Sequence, residues 1–308
     1  MIEPSLLHHL IELIAELFKP SEINEIGRII VKDYDNHTAT DTKAHITLST
    51  RKCAAALVET CMNENKVDKL VQMIVELDGR TLMGRPVKID GLELLLHDLS
   101  KSGIIYDFHK KKILNNVKDL KELANWGSLK DGREYGMSVM SLDIVNNSKL
   151  VKTHGNRSMQ KLYYELRLYL QNKIDVYDGR IWNFAGDGGI IAFAFKGHEN
   201  RSLLCGLDIL RGLPLFNMTS VLPLDEMFTL RLGVNTGKVR FFIDTGSIVS
   251  DVINYAAHLE KQVAEPGKLT VSHSLKESVE PRIMTIFEKK GVFEDQEYYQ
   301  TVNRLDLI

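Results

Sequence analysis

The hydrophobic pattern in the first part of the chain is helical. Apolar side chains recur every three or four residues, which places them along one face of each predicted helix. Pro20 ends the first helix, Ser21 caps the second, and the pattern returns in three segments between residues 50 and 99. We therefore predict a small all-α module over residues 1–114.

The pattern changes after a junction at residues 115–134, where glycine mixes with charged residues. Over residues 135–308, apolar runs of strand length alternate with amphipathic helices predicted at 158–177, 202–213 and 249–263. This alternation indicates a second domain in which helices pack on a sheet.

Two pairs of strands in the second domain are predicted to be hairpins. One pair, 180–186 and 190–195, surrounds a Gly-Asp-Gly-Gly turn, and the other, 230–237 and 238–243, surrounds a Thr-Gly-Lys turn. Hairpins exclude a simple doubly wound parallel sheet. The pattern therefore predicts an α+β domain of the ferredoxin-like kind.

Composition narrows the classes of partner and compartment. The formal net charge of −2 provides no basic field for a nucleic acid backbone or an anionic membrane, so we expect neither partner. No apolar run approaches the ~20 residues that span a bilayer, and the amphipathic N-terminus does not resemble a signal peptide. The three cysteines form no paired framework, which indicates a cytoplasmic protein.

Two aspartates occupy positions suited to metal chemistry. Asp143 ends the apolar strand SVMSLD, and Asp187 lies in the turn of the hairpin at AGDGG. In a ferredoxin-like sheet the first strand and this hairpin are neighbours, so we expect the two carboxylates to converge. A divalent cation such as Mg²⁺ or Mn²⁺ removes their mutual repulsion, and such a pair can hold two ions.

Three segments of the second domain resemble the class III nucleotidyl cyclases, the family of adenylate and guanylate cyclases. They occur in the family's order and with its normal spacing. The segments are SVMSLDIVNNSKL, GRIWNFAGDGGIIAFAF and LRLGVNTGKVRFFIDTGSIVSDVINYAAHLEKQVAEPGKLTVS. The resemblance implies that the domain has the class III catalytic fold and converts a nucleoside triphosphate into a 3′,5′-cyclic nucleotide and pyrophosphate.

The resemblance also implies roles for matching residues. Asp143, Asp187 and the Ile144 carbonyl match the ligands of two divalent metal ions, Mn²⁺ or Mg²⁺. Asp251 matches a base-contacting position, and Asn254 matches the asparagine that orients the ribose. Family sites form where two domains meet head to tail, so a homodimer with sites at its interface is implied.

Two positions depart from the purine cyclases. Asn183 stands where adenylate cyclases carry lysine and guanylate cyclases carry glutamate, and an amide does not by itself select a purine. His258 stands where an arginine stabilises the transition state. Histidine is shorter and only partly charged near neutral pH, whereas arginine is always charged.

These departures leave alternatives open. One is an adenylate or guanylate cyclase, or a catalytically degenerate relative that senses nucleotide. The other, favoured here, is a pyrimidine cyclase of bacterial anti-phage defence that uses UTP or CTP. That subset carries an aromatic residue before the first aspartate and an arginine before the second, and Tyr135 and Arg180 stand in those places. A core aromatic and a solvated turn residue are the structural alternatives for these two positions.

The helical module carries no catalytic constellation. By pattern only, it resembles the death-like effector-associated modules that recruit partners in bacterial conflict systems. This resemblance implies a protein partner for residues 1–114.

Overall fold

The computed structural model describes residues 4–101, 104–108, 112–115, 123–219 and 222–307. The chain divides into two units, Met1–Leu129 and Lys130–Ile308. Residues 116–122 of the predicted junction lie outside the described residues, and turns occupy 124–128. None of the helices in the described ranges combines the length and apolar character needed to cross a bilayer.

The described part of the first unit is mainly helical, as its periodicity predicts. Its helices are α1 (Pro4–Leu17), α2 (Pro20–Ile30), α3 (Asn36–Ala39), α4 (Thr50–Asn63), α5 (Val67–Leu77) and α6 (Leu92–Lys101). Two short hairpins accompany them, β1 (Thr81–Leu82) with β2 (Arg85–Pro86) and β3 (Ile104–Asp107) with β4 (Lys112–Asn115). The apolar helix faces form one core that includes Ile14, Ile23, Leu57, Leu70 and Leu95.

The prediction that Ser21 caps α2 is wrong. The helix begins at Pro20, whose fixed φ and missing N–H suit the first helical position. The Glu22 carboxylate accepts a hydrogen bond of 2.8 Å from the Lys19 backbone N–H. Glu22 therefore satisfies the N–H of Lys19, the residue before the helix, and Ser21 lies inside the helix as its second residue.

The second unit contains the sheet. Its elements are β5 (Glu134–Ile144), α7 (Asn147–Val176), β6 (Arg180–Ala185), β7 (Gly188–Ala194), α8 (His198–Asn217), β8 (Leu230–Arg240), α9 (Asp251–His258), β9 (Leu269–Ser272), α10 (His273–Ser278), β10 (Phe287–Phe293) and β11 (Gln296–Thr301). A π-helical turn, Leu259–Val263, continues α9. The terminal hairpin β10–β11 was not predicted.

The strands form a seven-stranded sheet within the described residues, in the order β10-β11-β9-β8-β5-β7-β6. The sequence β5-α7-β6-β7-α8-β8 and the order β8-β5-β7-β6 are those of a ferredoxin-like unit. The α+β prediction is therefore confirmed. Helices α7 and α8 cover one face of the sheet, with Leu166 and Ile209 in its core, and α9 packs on β5 and β8.

The second predicted hairpin is wrong. Residues 230–240 form the single strand β8, which pairs with β5 along its whole length. Thr236, Gly237 and Lys238 lie opposite Ser138, Met137 and Gly136, in extended conformation. A Cβ at position 237 would lie 2.8 Å from Val252 Cγ2. This glycine therefore marks the close approach of α9 rather than a turn.

The segment after Asp143 also differs from the prediction. A polar loop was expected before a helix at Ser158, but α7 begins at Asn147. Gly155, with φ 78° and ψ 161°, breaks the helix into two parts. The short first part therefore starts close to the end of β5.

Candidate active site

Asp143 and Asp187 lie side by side where the neighbouring strands β5 and β7 meet at one end of the sheet. Asp143 is the second-to-last residue of β5 and pairs with Gly188, the first residue of β7. Asp187 occupies the turn that connects β6 to β7. The Ile144 backbone N–H donates a hydrogen bond of 3.2 Å to the Asp187 carbonyl, which ties the turn to the end of β5.

The hairpin turn explains how Asp187 reaches this edge. Ala185 pairs with Gly188, so the turn has two residues, Gly186 and Asp187. Gly186 has φ 68°, which is the positive value that a two-residue turn with glycine in its first position requires. The local sequence therefore fixes the turn and places Asp187 beside the end of β5.

Two residues of this site were missed by the sequence analysis. Arg231 of β8 pairs with Asp143, and its Nη2 lies 2.6 Å from Asp143 Oδ2. Arg231 Nε lies 3.4 Å from Oε1 of Glu260, in the π-helical turn after α9. This second contact is an ion pair without hydrogen-bond geometry. Side chains alternate between the two faces of a strand, so the sequence of β8 could have placed Arg231 on the same face as Asp143. That inference requires the pairing of β8 with β5, which was not predicted.

The carboxyl groups of the site perturb each other. Burial raises the pKa of Asp143, the hydrogen bond from Arg231 opposes this shift, and the nearby Asp187 carboxylate adds to it. Burial also raises the pKa of Glu260 to about 7, with a contribution from Asp143 and opposition from Arg231. In both groups burial is the largest cause, and the charge of a neighbouring acid adds to the upward shift of the pKa.

The donor set suits a hard divalent cation. Among the described residues no group of three or more His, Cys, Asp or Glu side chains is placed to hold a metal ion. Asp143, Asp187 and the Ile144 carbonyl nevertheless offer oxygen ligands. Mg²⁺ commonly binds through one or two carboxylates and completes its shell with water and substrate phosphate. The residues present therefore fit such an ion together with a triphosphate.

The residues predicted to contact base and ribose lie on exposed surfaces. Asp251 is the first residue of α9, and Asn254 lies one turn later, with its side chain exposed. Asn183 is exposed on β6, next to an irregularity in the pairing with β7. His258 Nδ1 lies 2.7 Å from Glu294 Oε1, in the turn between β10 and β11.

Tyr135 and Arg180 lie away from the two aspartates. Tyr135 is near the opposite end of β5 from Asp143, and its hydroxyl oxygen accepts a hydrogen bond of 3.0 Å from the Lys130 N–H. Arg180 begins β6, at the opposite end of the hairpin from Asp187. Its side chain is buried and donates a hydrogen bond of 2.7 Å to the Gly179 carbonyl.

No family model and no curated protein matches the chain. Several solved structures are similar in fold. The catalytic core of a rhodopsin-guanylyl cyclase with converted specificity, in complex with ATPαS, is 18% identical with a TM-score of 0.49, over 57% of this chain and 100% of that chain. The guanylate cyclase domain of RhGC from Catenaria anguillulae, in complex with GTP, is 17% identical with a TM-score of 0.47, over 56% of this chain and 99% of that chain.

An adenylate/guanylate cyclase/hydrolase from Silicibacter pomeroyi is 22% identical with a TM-score of 0.47, over 56% of this chain and 98% of that chain. These structural neighbours are class III adenylate and guanylate cyclase domains.

Proposed function

We propose that the second unit is a nucleotidyl cyclase, which converts a nucleoside triphosphate into a 3′,5′-cyclic nucleotide and pyrophosphate. The observation that carries this proposal is the convergence of Asp143 and Asp187, tied by the hydrogen bond from Ile144 to the Asp187 carbonyl. The two carboxylates lie at neighbouring strand ends, in two of the three segments that resemble the cyclase motifs, and this supports catalysis over a turn or capping role.

Asp143, Asp187 and the Ile144 carbonyl would hold two divalent ions, Mg²⁺ or Mn²⁺. When bound, the ions lower the pKa of the ribose 3′-hydroxyl and offset the charge of the triphosphate. The chain's own residues would do the positioning. Asn254 would orient the ribose, and Asp251 and Asn183 would contact the base, which leaves the 3′-oxygen in line with the α-phosphorus.

A homodimer would complete the site. Asn183, Asp251 and Asn254 are exposed in one chain, as expected if they face a nucleotide held by a second copy. Apolar side chains are exposed nearby in the loop after β8, where Ile243 is 66% and Val249 is 87% exposed. Exposed apolar surface of this kind is typical of protein interfaces.

We favour a pyrimidine triphosphate, UTP or CTP, as the substrate. Position 183 is asparagine, whereas adenylate cyclases carry lysine and guanylate cyclases carry glutamate at the matching position. Arg180 pairs with Ala192, which pairs with Val139, so Arg180 and Tyr135 belong to the sheet face that carries Asp143. The product would act as a signal in anti-phage defence, and the helical unit would bind a protein partner.

One observation favours a second candidate, a domain that binds nucleotide without turnover. His258, at the position of the family's arginine, and Lys290, in the terminal hairpin, each lie against an acid. His258 pairs with Glu294 at 2.7 Å, and Lys290 pairs with Glu288 at 2.8 Å. Such pairing leaves fewer charges to stabilise a transition state.

The test is turnover with each triphosphate separately. Purified protein, Mn²⁺ and ATP, GTP, CTP or UTP are incubated, and products are identified by mass. The proposal expects equal amounts of cyclic nucleotide and pyrophosphate, with a pyrimidine giving the faster rate. A faster purine reaction would overturn only the choice of base. Nucleotide binding without product would support the second candidate, and neither binding nor product would end both.

A further inference from the structure

Arg231 and Glu260 form a connected pair behind Asp143. Arg231 donates a hydrogen bond from Nη2 to Asp143 Oδ2 at 2.6 Å, and its Nε lies 3.4 Å from Glu260 Oε1. No motif of the sequence analysis includes either residue in a chemical role. A planar guanidinium can contact two acids through different nitrogens. The single ammonium nitrogen of a lysine offers no such fixed geometry.

The backbone holds Glu260 in place. Glu260 lies in the π-helical turn and is only 7% exposed. A Cβ at Gly233 would lie 2.5 Å from the Ala256 carbonyl oxygen and 2.6 Å from the Glu260 backbone nitrogen, so β8 and the turn pack backbone against backbone. A short π-helical turn inside a helix is often found at functional sites.

The two carboxylate oxygens of Asp143 have different neighbours. Arg231 occupies Oδ2, while Oδ1 lies 3.4 Å from the position that a Cβ on Gly188 would take, on the side of the hairpin that carries Asp187. The carboxylate is thereby held with its second oxygen towards the other aspartate. Without this hydrogen bond, the short side chain of Asp143 could rotate among several orientations.

The charge of Arg231 would by itself oppose a cation at Asp143. Above pH 7, where Glu260 is ionised, its buried carboxylate offsets this charge through its contact with Nε. The pair therefore supplies a directed hydrogen bond with little net charge, which suits support of a metal ligand better than an isolated arginine would.

We propose that Arg231 is a positioning residue for the metal site and that Glu260 anchors it. Arg231 holds the Asp143 carboxylate so that Oδ1 faces an ion shared with Asp187. The inference rests on the proposed cyclase function for its consequence in turnover, but the positioning itself concerns ion binding and is measurable without nucleotide.

The decisive variant is the double substitution R231M/E260Q. Measured at pH 8, above the pKa of about 7 of Glu260, it removes one positive and one negative group, so the local net charge stays the same while the hydrogen bond to Asp143 is lost. Arg231→Lys tests the need for a planar guanidinium, and Glu260→Gln tests the need for the acid that contacts it. Arg240→Met is the matched control, because Arg240 is exposed at the far end of the same strand.

Mn²⁺ binding to the full-length chain is measured by electron paramagnetic resonance of the free ion, and thermal melting shows which variants fold. We expect R231M/E260Q to weaken Mn²⁺ binding about 10- to 100-fold, as removal of an outer support of a metal ligand does. Arg231→Lys recovers only part of the affinity, and Arg240→Met leaves it unchanged. If the double variant does not fold, the single variants Arg231→Lys and Glu260→Gln test the inference, and we expect each to bind Mn²⁺ more weakly than the unmodified chain.

Unchanged or tighter Mn²⁺ binding by folded variants would overturn the inference, since Arg231 would then only compete with the ion. Absence of Mn²⁺ binding by the unmodified chain would overturn it as well. Mn²⁺ binding that depends on Arg231, in a chain that forms no cyclic nucleotide, would uphold the positioning and reject the cyclase proposal. Formation of cyclic nucleotide by a chain whose Mn²⁺ binding does not depend on Arg231 would reject the positioning and uphold the cyclase proposal.

Discussion

The backbone N–H of Ile144 donates a hydrogen bond of 3.2 Å to the carbonyl oxygen of Asp187. This bond extends the pairing of β5 and β7 by one step beyond Asp143 and Gly188. The bond uses main-chain atoms alone, so the Asp187 side chain takes no part in it. The two aspartates therefore owe their proximity to the main chain, and substitutions of their side chains should leave the hairpin in place.

Replacement of either aspartate by asparagine should abolish turnover without unfolding the chain. An amide keeps the size of the side chain but lacks the charge that a divalent ion needs, so we expect roughly a hundredfold loss of rate or more. Product formation and circular dichroism melting measure the two effects. Asp225→Asn, at an exposed position, is the control. Normal turnover by Asp143→Asn would contradict the assignment.

Gly188→Ala should damage the site through the backbone. An added Cβ would contact the Leu142 carbonyl oxygen and lie 3.3 Å from Asp143 Cα, so the strands must separate where the two aspartates meet. We expect about 1–3 kcal/mol of destabilisation, together with weaker Mn²⁺ binding. Denaturant unfolding and Mn²⁺ titration measure these changes.

Gly246→Ala is the control for that substitution, because its Cβ would make only an ordinary contact of 3.5 Å with Asp244 Oδ1. Equal stability and Mn²⁺ affinity for the two alanine variants would show that the β5–β7 spacing does not govern the site.

Glu260 should make stability depend on pH. Its pKa is about 7 in the folded chain against an ordinary value of 4.5, so between these values the folded chain keeps a proton that the unfolded chain has released. Its contribution to stability is thus present below pH 4.5 and is lost as pH rises through 7, by at most roughly 3 kcal/mol. Glutamine does not titrate and loses nothing over this range.

The free energy of unfolding, measured without metal from pH 5 to pH 8, should therefore fall more steeply for the unmodified chain than for Glu260→Gln. Exposed Glu280→Gln is the control and should follow the unmodified chain. Parallel profiles for Glu260→Gln and the unmodified chain would mean that burial of Glu260 has no such effect.

Two inactive variants should restore activity when mixed. If each site takes its metal ligands from one copy and Asn254 from the other, an Asp143→Asn chain paired with an Asn254→Ala chain has one intact site. Random pairing would then give about a quarter of the unmodified activity. Sedimentation verifies that dimers form. A mixture as inactive as its components, despite exchange of subunits, would place both groups in a single-chain site.

The strand β5, the β6–β7 hairpin and the places of both aspartates were predictable from the sequence because each rests on local patterns. The apolar run of β5 and the glycine-rich turn at Asp187 each define their own structure. The extended path of β8 through Thr236 and Gly237 was not predictable, because pairing with β5 overrides a local turn signal.

Arg231 and Glu260 were missed for a related reason. They lie on different elements, and only the packing of the π-helical turn against β8 brings them together behind Asp143. Ser21 shows that even the start of a single helix can be misplaced. The prediction placed the start of α2 after Ser21, whereas the helix begins at Pro20.

The most direct measurement of the central claim is the anomalous scattering of Mn²⁺ in crystals of the protein soaked with a nucleoside triphosphate that lacks the 3′-hydroxyl. We expect an ion bound by carboxylate oxygens of both Asp143 and Asp187 at about 2.1 Å, next to the triphosphate. An ion that contacts only one of these residues, or a nucleotide bound elsewhere on the chain, would contradict it.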